Sequence, residues 1–111
     1  MDKTVFLIED DRFLREMLSQ KLLDQKIKVE AAIDGKSAME MMSTVKPDLI
    51  LSDLLLPDVD GFEILAAIQK NPAFANVPVL VLSNLDKAED IQKAKDLGAK
   101  DFMVKSNFTS N

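Results

Sequence analysis

Carboxylate side chains follow two apolar segments of the sequence. Glu9, Asp10 and Asp11 come directly after the first segment, and Asp53 comes directly after a later one. Carboxylates that are brought to one edge of a fold repel one another and are costly there unless a cation neutralises them. Hard oxygen ligands of this kind suit Mg²⁺ or Mn²⁺. The sequence therefore predicts a divalent-cation site, provided that the fold brings the two places together.

Two more polar residues that follow apolar segments, Ser83 and Lys105, could complete a reaction at such a site. With a cation beside it, Asp53 is a usable nucleophile. The Ser83 hydroxyl and the Lys105 ammonium could then hold the oxygens of a transferred phosphoryl group. Each residue alone is a weak signal, because Asp and Ser are also ordinary strand-end and helix-cap residues. The prediction of phosphoryl transfer to Asp53 therefore depends on their convergence.

Five short segments are predicted to be β-strands, because most of them run continuously apolar, as strands covered on both faces do. They cover residues 4–8, 28–32, 48–52, 79–82 and 101–104. Four segments with apolar residues at helical spacing lie between these strands. The first ends near Gln25, the second is stopped by Pro47, the third covers Gly61–Lys70, and the fourth runs from about Lys87 to Leu97. This alternation predicts an α/β fold with a doubly wound, five-stranded parallel sheet.

The predicted sheet places the polar residues on one rim. In an open parallel sheet, ligands bind outside the carboxyl ends of the strands, where the connections part. Glu9 follows the first strand, Asp53 the third, Ser83 the fourth and Lys105 the fifth. We therefore expect one site that is built from four strands.

Length and composition exclude several classes of protein. A chain of 111 residues has room for one domain, and we expect a single domain over residues 1–111. No stretch approaches the roughly 18 apolar residues of a membrane span, and no secretory signal opens the chain, which favours a soluble, cytoplasmic protein without membrane contact. The absence of histidine and cysteine excludes a His/Cys zinc site. The formal net charge of −5 argues against direct binding to nucleic acid.

Four motifs make the chain similar to the receiver domain of two-component response regulators. They are residues 6–11 (FLIEDD), residues 47–53 (PDLILSD) with Pro57 and Gly61 after them, residues 79–83 (VLVLS), and residues 98–105 (GAKDFMVK). Together they cover nearly the whole chain in the order of the family. The resemblance implies a flavodoxin-like sheet of order 2-1-3-4-5, as in chemotaxis regulators.

The resemblance also implies a metal site and a phosphoacceptor. By this comparison Asp53 accepts the phosphoryl group, and Mg²⁺ (or Mn²⁺) is held by Glu9, Asp10, Asp53 and the backbone carbonyl of Leu55. The simplest role of Asp11 is then a helix N-cap or a first-turn charge.

Three further positions match functional positions of the family. Ser83 matches the hydroxyl residue that moves toward the phosphoryl group, Lys105 matches the lysine of the site, and Phe102 matches the aromatic switch residue. An aromatic residue on a terminal strand is just as readily plain core. Both interpretations of Phe102 stay open.

The implied function is a phosphorylatable signalling switch, not an enzyme beyond assisting its own phosphorylation and dephosphorylation. In this family the phosphoryl group comes from a phosphohistidine on a histidine kinase or a phosphotransfer protein. The chain has no histidine, so it stands on the acceptor side of the exchange. A downstream effector is implied, which the sequence does not identify.

Two leucines depart from the family pattern beside the site. Leu55 and Leu85 are apolar where many members of the family have polar side chains that orient an attacking water. One hypothesis is that the phosphoryl group is lost slowly by hydrolysis. The alternative is that these leucines contact a partner.

The end of the sequence departs from the pattern in two ways. Ser106 stands where the family commonly has a proline, and we expect a trans peptide bond before it. Only six residues follow Lys105, so we expect the fifth helix to be missing and an apolar face to be exposed beside the first helix. A trimmed chain, a longer chain, or a covering partner, including a homodimer, would each explain this.

Three other functions are compatible with parts of this pattern. A haloacid-dehalogenase-like phosphatase needs a second Asp two residues after Asp53, where Leu55 stands. An FMN carrier of the flavodoxin type needs a phosphate loop after the first strand, where Glu9 and its neighbours would repel a phosphate. A pseudo-receiver that acts only as a protein-interaction module is the main alternative, and the full set of site residues argues against it.

Overall fold

The computed structural model describes residues 2–109 of the chain and the side chains of residues 2–107. The strands are β1 (Lys3–Ile8), β2 (Ile27–Ala32), β3 (Leu49–Ser52), β4 (Val79–Ser83) and β5 (Asp101–Val104). The helices are α1 (Arg12–Asp24), α2 (Gly35–Met41), α3 (Gly61–Lys70), α4 (Ala88–Asp96) and α5 (Lys105–Thr109). A 3₁₀ helix, Pro72–Phe74, which the sequence did not predict, precedes β4. The predicted alternation of strands and helices is confirmed.

The strands form one parallel sheet in the order β2-β1-β3-β4-β5, as predicted. Because β1 pairs with both β2 and β3, the chain connections part on either side of β1. Ile8 lies opposite Ser52 in the register of β1 and β3. The residues that follow them, Glu9 and Asp53, therefore leave the sheet side by side at its carboxyl edge.

Side chains of the central strands alternate between two apolar clusters. Phe6 and Ile8 belong to the larger cluster, which includes residues of α2, α3 and α4. Val5 and Leu7 belong to a smaller cluster that includes residues of α1. Because successive side chains of a strand point to opposite faces, a strand that is covered on both faces must be apolar throughout. This explains the continuously apolar segments of the sequence.

The α1 side of the sheet is covered less completely than the other side. Leu49, Leu80 and Met103 lie on it and are only partly buried, although they pack against the smaller cluster. The sequence predicted an exposed apolar face beside α1, but these residues are partly buried.

Two helix starts carry side-chain caps, and the first of them, at Asp11, was among the roles considered from the sequence. The carboxylate of Asp11 accepts a hydrogen bond from the Leu14 amide at 3.1 Å and caps α1. Asp34 accepts one from the Ser37 amide at 2.8 Å and caps α2. Gly98, after α4, has a φ of 97°, in the left-handed region that favours glycine. Within residues 2–109 no helix combines the length and the apolar character that crossing a bilayer requires.

The predicted end of α2 is wrong. Pro47 was expected to stop this helix, but α2 ends at Met41. A turn follows, in which the Thr44 amide donates to the Met41 carbonyl at 3.0 Å. The Val45 amide donates to the same carbonyl at 3.0 Å, so a three-residue bond and a four-residue bond share this acceptor, as in a helix end that tightens in its last turn.

The fifth helix is short, not missing. The sequence predicted that the residues after Lys105 could not form it, but Lys105–Thr109 forms a helix of 5 residues. The Ser106 amide donates to Oδ1 of Asn84 at 3.1 Å, which holds the first turn against the end of β4. The peptide bond before Ser106 is trans, as expected, because no cis bond lies within the described part of the chain.

Candidate functional site

Three carboxylates meet at the carboxyl edge of the sheet. Glu9, Asp10 and Asp53 each offer an oxygen, and these oxygens lie within 4.8 Å of one another. Glu9 and Asp53 are buried, whereas Asp10 is exposed. The Glu9 amide donates to the Ala32 carbonyl at 3.0 Å, and the Asp53 amide donates to the Ile8 carbonyl at 2.9 Å. These bonds extend the strand pairing by one residue, so the sheet itself positions the two buried carboxylates.

Lys105 enters the same site from the end of β5. Its Nζ lies 2.5 Å from Oδ2 of Asp53 and 2.9 Å from both carboxylate oxygens of Glu9. The Lys105 side chain is 12% exposed, and those of Glu9 and Asp53 are almost completely buried. Buried carboxylates require a positive partner, and this ammonium is that partner for two of them.

The buried ion pairs change the pKa of Glu9 and of Lys105. Burial raises the pKa of Glu9 above its ordinary value, although the hydrogen bonds from Lys105 and the Asp11 amide act in the opposite direction. For Lys105, burial lowers the pKa, but the hydrogen bonds to Asp53 and Glu9 outweigh burial and raise it. Lys105 therefore stays charged at neutral pH.

The backbone after β3 fixes the other oxygen of Asp53. Oδ1 accepts hydrogen bonds from the Leu54 amide at 2.6 Å and from the Leu55 amide at 3.0 Å. The loop closes where the Gly61 amide donates to the Leu54 carbonyl at 3.1 Å. A Cβ at Gly61 would collide with the backbone of Leu54, so this close approach requires glycine. One carboxylate oxygen is thus held by the backbone, and the other faces Lys105.

The loop between β1 and α1 is held by its own hydrogen bonds. Oε2 of Glu9 accepts a bond from the Asp11 amide at 3.0 Å. Nη1 of Arg15 donates to the Glu9 carbonyl at 3.0 Å and to the Asp10 carbonyl at 3.3 Å. The sequence interpretation missed Arg15. A cationic residue one turn into the helix that follows an acidic loop is the signal that could have identified it.

Of the remaining predicted site residues, Ser83 and Phe102 lie outside this contact set, and Leu55 joins it through its backbone amide. Ser83 is completely buried at the end of β4, and its Oγ accepts a bond from the Leu85 amide at 3.4 Å. Leu55 bonds to Asp53 through its amide, while its side chain is 49% exposed. Phe102 is partly buried and packs against the larger apolar cluster. The structure therefore brings Glu9, Asp10, Asp53 and Lys105 together, and the roles predicted for all seven residues stay predictions.

The three carboxylates fit a divalent cation. Their oxygens are close enough to share one ion, and Mg²⁺ and Mn²⁺ prefer carboxylate ligands. The single ammonium of Lys105 leaves the site with an excess of negative charge. Glu9, Asp10 and Asp53 are thus a group that could hold a metal ion.

An opening beside Lys105 gives access to this edge of the sheet. A cavity of about 290 Å³ is lined by Asp11, Phe13, Leu14, Asn84 and Lys105. The Phe13 side chain on its rim is 77% exposed. This edge of the sheet is therefore accessible to solvent or to a partner.

The chain is similar to proteins whose own chains are much longer. It is 33% identical over 101 residues to the DNA-binding dual master transcriptional regulator RpaA of Synechocystis sp.. It is 32% identical over 102 residues to a probable cyclic di-GMP phosphodiesterase of Vibrio cholerae. These matches cover 91% and 92% of this chain but only 42% and 23% of the two relatives. The chain thus spans less than half the length of these relatives.

A solved structure and a family description agree with this similarity. The chemotaxis response regulator CheY4 of Vibrio cholerae has a TM-score of 0.88 and 30% sequence identity to this chain. The match covers 95% of this chain and 88% of that one. The model of the family described as "Response regulator receiver domain" matches residues 5–110 of this chain. This chain, with its parallel sheet and its acidic edge, therefore belongs to the response regulator receiver domain family.

Proposed function

We propose that this chain is a phosphoacceptor switch in which Asp53 accepts a phosphoryl group from a phosphohistidine on a partner protein. The observation that carries the proposal is the setting of Asp53. It is buried, one oxygen is held by two backbone amides, and the other lies 2.5 Å from the Lys105 ammonium. Phosphoryl transfer depends mainly on such positioning and on charge stabilisation.

In the proposed transfer, a P–O bond forms to a carboxylate oxygen of Asp53. The P–N bond of the phosphohistidine breaks, and its electron pair returns to the ring nitrogen. The phosphoryl oxygens bring negative charge into a site that already holds carboxylates. Lys105, which is already beside Asp53, would counter that charge.

Glu9, Asp10, Asp53 and the backbone carbonyl of Leu55 would hold the Mg²⁺, or Mn²⁺, that receiver domains typically bind. When bound, the ion neutralises charge on the carboxylates and on the phosphoryl oxygens. The Asp53 carboxylate keeps its orientation through the Leu54 and Leu55 amides.

Ser83 and Phe102 are the proposed switch residues. Ser83 ends β4, the strand next to β3 in the sheet. A hydroxyl there that turned toward the phosphoryl group would give up its bond to the Leu85 amide. Both Leu85 and Phe102 pack against the larger cluster. A movement of the loop after β4 would therefore change the packing around Phe102 in β5.

The proposed partners follow from this function. A histidine kinase or a phosphotransfer protein would supply the phosphoryl group in the cytoplasm, and a downstream effector would read the phosphorylated state. Receiver domains are regulatory, and we propose that this single domain, over residues 1–111, assists only its own phosphorylation and dephosphorylation. We propose that the chain binds neither nucleic acid nor a membrane directly. The partly buried face beside α1 would be covered by a partner or by a second copy.

Intact-mass measurement after incubation with acetyl phosphate and Mg²⁺ tests the main proposal. The native chain should gain the mass of one phosphoryl group, and Asp53→Asn should not. Asp96→Asn, which changes an exposed carboxylate at the end of α4, should behave like the native chain. No gain on the native chain would favour the pseudo-receiver, and an equal gain on Asp53→Asn would move the acceptor to another residue.

The same measurement followed over time tests whether the phosphoryl group is lost slowly. Leu55 and Leu85 flank the site with apolar side chains, which cannot orient an attacking water. We expect Leu55→Asn to lose the phosphoryl mass faster than the native chain. Identical rates would leave partner contact as the role of these leucines.

A further inference from the structure

Arg15 contacts the backbone of both candidate metal ligands that follow β1. Its Nη1 donates to the carbonyls of Glu9 and Asp10, at 3.0 and 3.3 Å. It contacts neither side chain through these bonds. The contact therefore acts on the path of the loop and not on the carboxylates directly.

The path of this loop decides where the two carboxylates point. Glu9 is buried and Asp10 is exposed, yet the two are adjacent and their oxygens lie within 4.8 Å of each other. Adjacent residues in extended backbone normally point to opposite faces. The chain must therefore turn at this point. The two carbonyls bound by Arg15 belong to the peptide groups before and after the Cα of Asp10.

Other bonds hold the ends of this segment but not its carbonyls. The Glu9 amide bonds to the Ala32 carbonyl at 3.0 Å, and the Asp11 amide bonds to the Glu9 carboxylate at 3.0 Å. A cation at the Glu9 carboxylate would share that group with the Asp11 amide. The bonds from Arg15 are made to the backbone, so they can persist when a cation occupies the carboxylates.

We propose that Arg15 is a positioning residue that holds Glu9 and Asp10 in the arrangement needed to bind a divalent cation. This inference rests on the proposed metal site. Partners that orient metal ligands commonly affect metal affinity about 10- to 100-fold. Because Arg15 acts through the backbone, we expect an effect near the lower limit.

Charge alone predicts the opposite effect. Arg15 is a cation near a cation site, so its removal should tighten Mg²⁺ binding if it acts only through its charge. Arg12 provides the matched control, because it is a cation in the same helix whose side chain is 82% exposed and pairs with Glu16 at 3.3 Å. The direction of the change in affinity therefore separates positioning from charge.

Calorimetric titration with MgCl₂ tests the inference on the full chain. The chain has no tryptophan or tyrosine, so heat is a better signal than intrinsic fluorescence. We expect Arg15→Met, which keeps the apolar stem, to bind Mg²⁺ about 10-fold more weakly than the native chain. Arg12→Met should stay within about twofold of it, because exposed charges are screened by salt. Arg15→Lys, which restores a donor and the charge, should recover part of the affinity.

Each outcome has a distinct meaning. If the native chain binds no Mg²⁺, the proposed metal site is wrong and the role of Arg15 is wrong with it. If the native chain binds Mg²⁺ and Arg15→Met binds as tightly as Arg12→Met, or more tightly, only the role of Arg15 is overturned. Circular dichroism without metal verifies that each variant is folded. If Arg15→Met does not fold, Arg15→Gln takes its place and is held to the same criterion.

Discussion

At the scale of single residues, the site is dominated by one ammonium between two buried carboxylates. Lys105 lies within 2.9 Å of Glu9 and 2.5 Å of Asp53, and only a small part of its side chain is exposed. Breaking a buried pair by removing one partner leaves an uncompensated charge. In this site, two carboxylates would lose their shared cation.

Replacing Lys105 by methionine should therefore destabilise the fold and increase its response to Mg²⁺. We expect Lys105→Met to lower the free energy of unfolding by about 3 kcal/mol in the absence of metal. Mg²⁺ should stabilise this variant more than it stabilises the native chain, because the ion replaces the missing ammonium. Urea unfolding with EDTA and with Mg²⁺ measures both effects.

Lys100→Met provides the control for this prediction, since Lys100 is exposed. It should change neither the stability nor the Mg²⁺ response appreciably. An equal Mg²⁺ increment for Lys105→Met and the native chain would contradict the idea that ion and ammonium serve the same carboxylates.

At the scale of the elements, the site depends on loops that are tied to neighbouring helices. The loop after Asp53 is joined to the start of α2 by Asp58. The two carboxylate oxygens of Asp58 accept hydrogen bonds from the Gly35 amide at 2.8 Å and the Lys36 amide at 2.9 Å. These bonds lower the pKa of Asp58 below its ordinary value. Asp58 therefore links the loop after Asp53 to α2, a helix on the larger-cluster side.

The lowered pKa of Asp58 predicts a pH-dependent contribution to stability. A carboxylate whose pKa is lower in the folded chain stabilises the fold above its ordinary pKa, and this contribution is lost as the pH falls through the folded value. The unfolding temperature of the native chain should therefore exceed that of Asp58→Asn at neutral pH. The difference should shrink below about pH 3.9, the ordinary value for Asp.

Thermal unfolding of both chains across this range is the measurement, and Asp86→Asn serves as the control for a loss of charge. Asp86→Asn should show no comparable trend with pH. The prediction would be contradicted if the unfolding temperatures of the native chain and Asp58→Asn differed by the same amount in acid as at neutral pH.

At the scale of the whole molecule, the two sides of the sheet are unequal. Among residues 2–107, whose side chains the structure describes, the larger cluster contains 16 buried residues and the smaller one 6. Several members of the α1 side are only partly buried. Stability should therefore depend mainly on the side that carries α2, α3 and α4.

Two leucine-to-alanine substitutions in helices compare the sides directly. Leu65 in α3 is completely buried in the larger cluster, whereas Leu22 in α1 is partly buried against the smaller one. Leu65→Ala should lower the free energy of unfolding by about 2–5 kcal/mol. Leu22→Ala should lower it by about 1 kcal/mol, because folding buries less apolar surface at that position. Equal losses in urea unfolding would indicate that the α1 side is covered more completely than the structure describes.

The sequence by itself determined the order of the elements and the residues of the acidic edge. Continuously apolar strands and helical spacing predicted the α/β alternation. Polar residues after the strands predicted that Glu9, Asp53 and Lys105 meet, whereas Ser83, predicted with them, lies outside their contacts. This succeeded because the parallel sheet brings the ends of its strands together whatever the details of packing. Glu9, Asp53 and Lys105 were identified in this way. Of the two roles considered for Asp11, a helix N-cap or a first-turn charge, the structure shows the N-cap.

Only the tertiary structure decided which of these residues touch and what holds them. The pairing of one Lys105 ammonium with both Glu9 and Asp53, and the bonds from Arg15 to the loop after β1, depend on side-chain directions that no sequence pattern records. The short α5 was missed because its first turn is held by Asn84, a contact between residues far apart in the chain. Patterns along the sequence reflect local periodicity, whereas these contacts arise from how the sheet brings distant segments together.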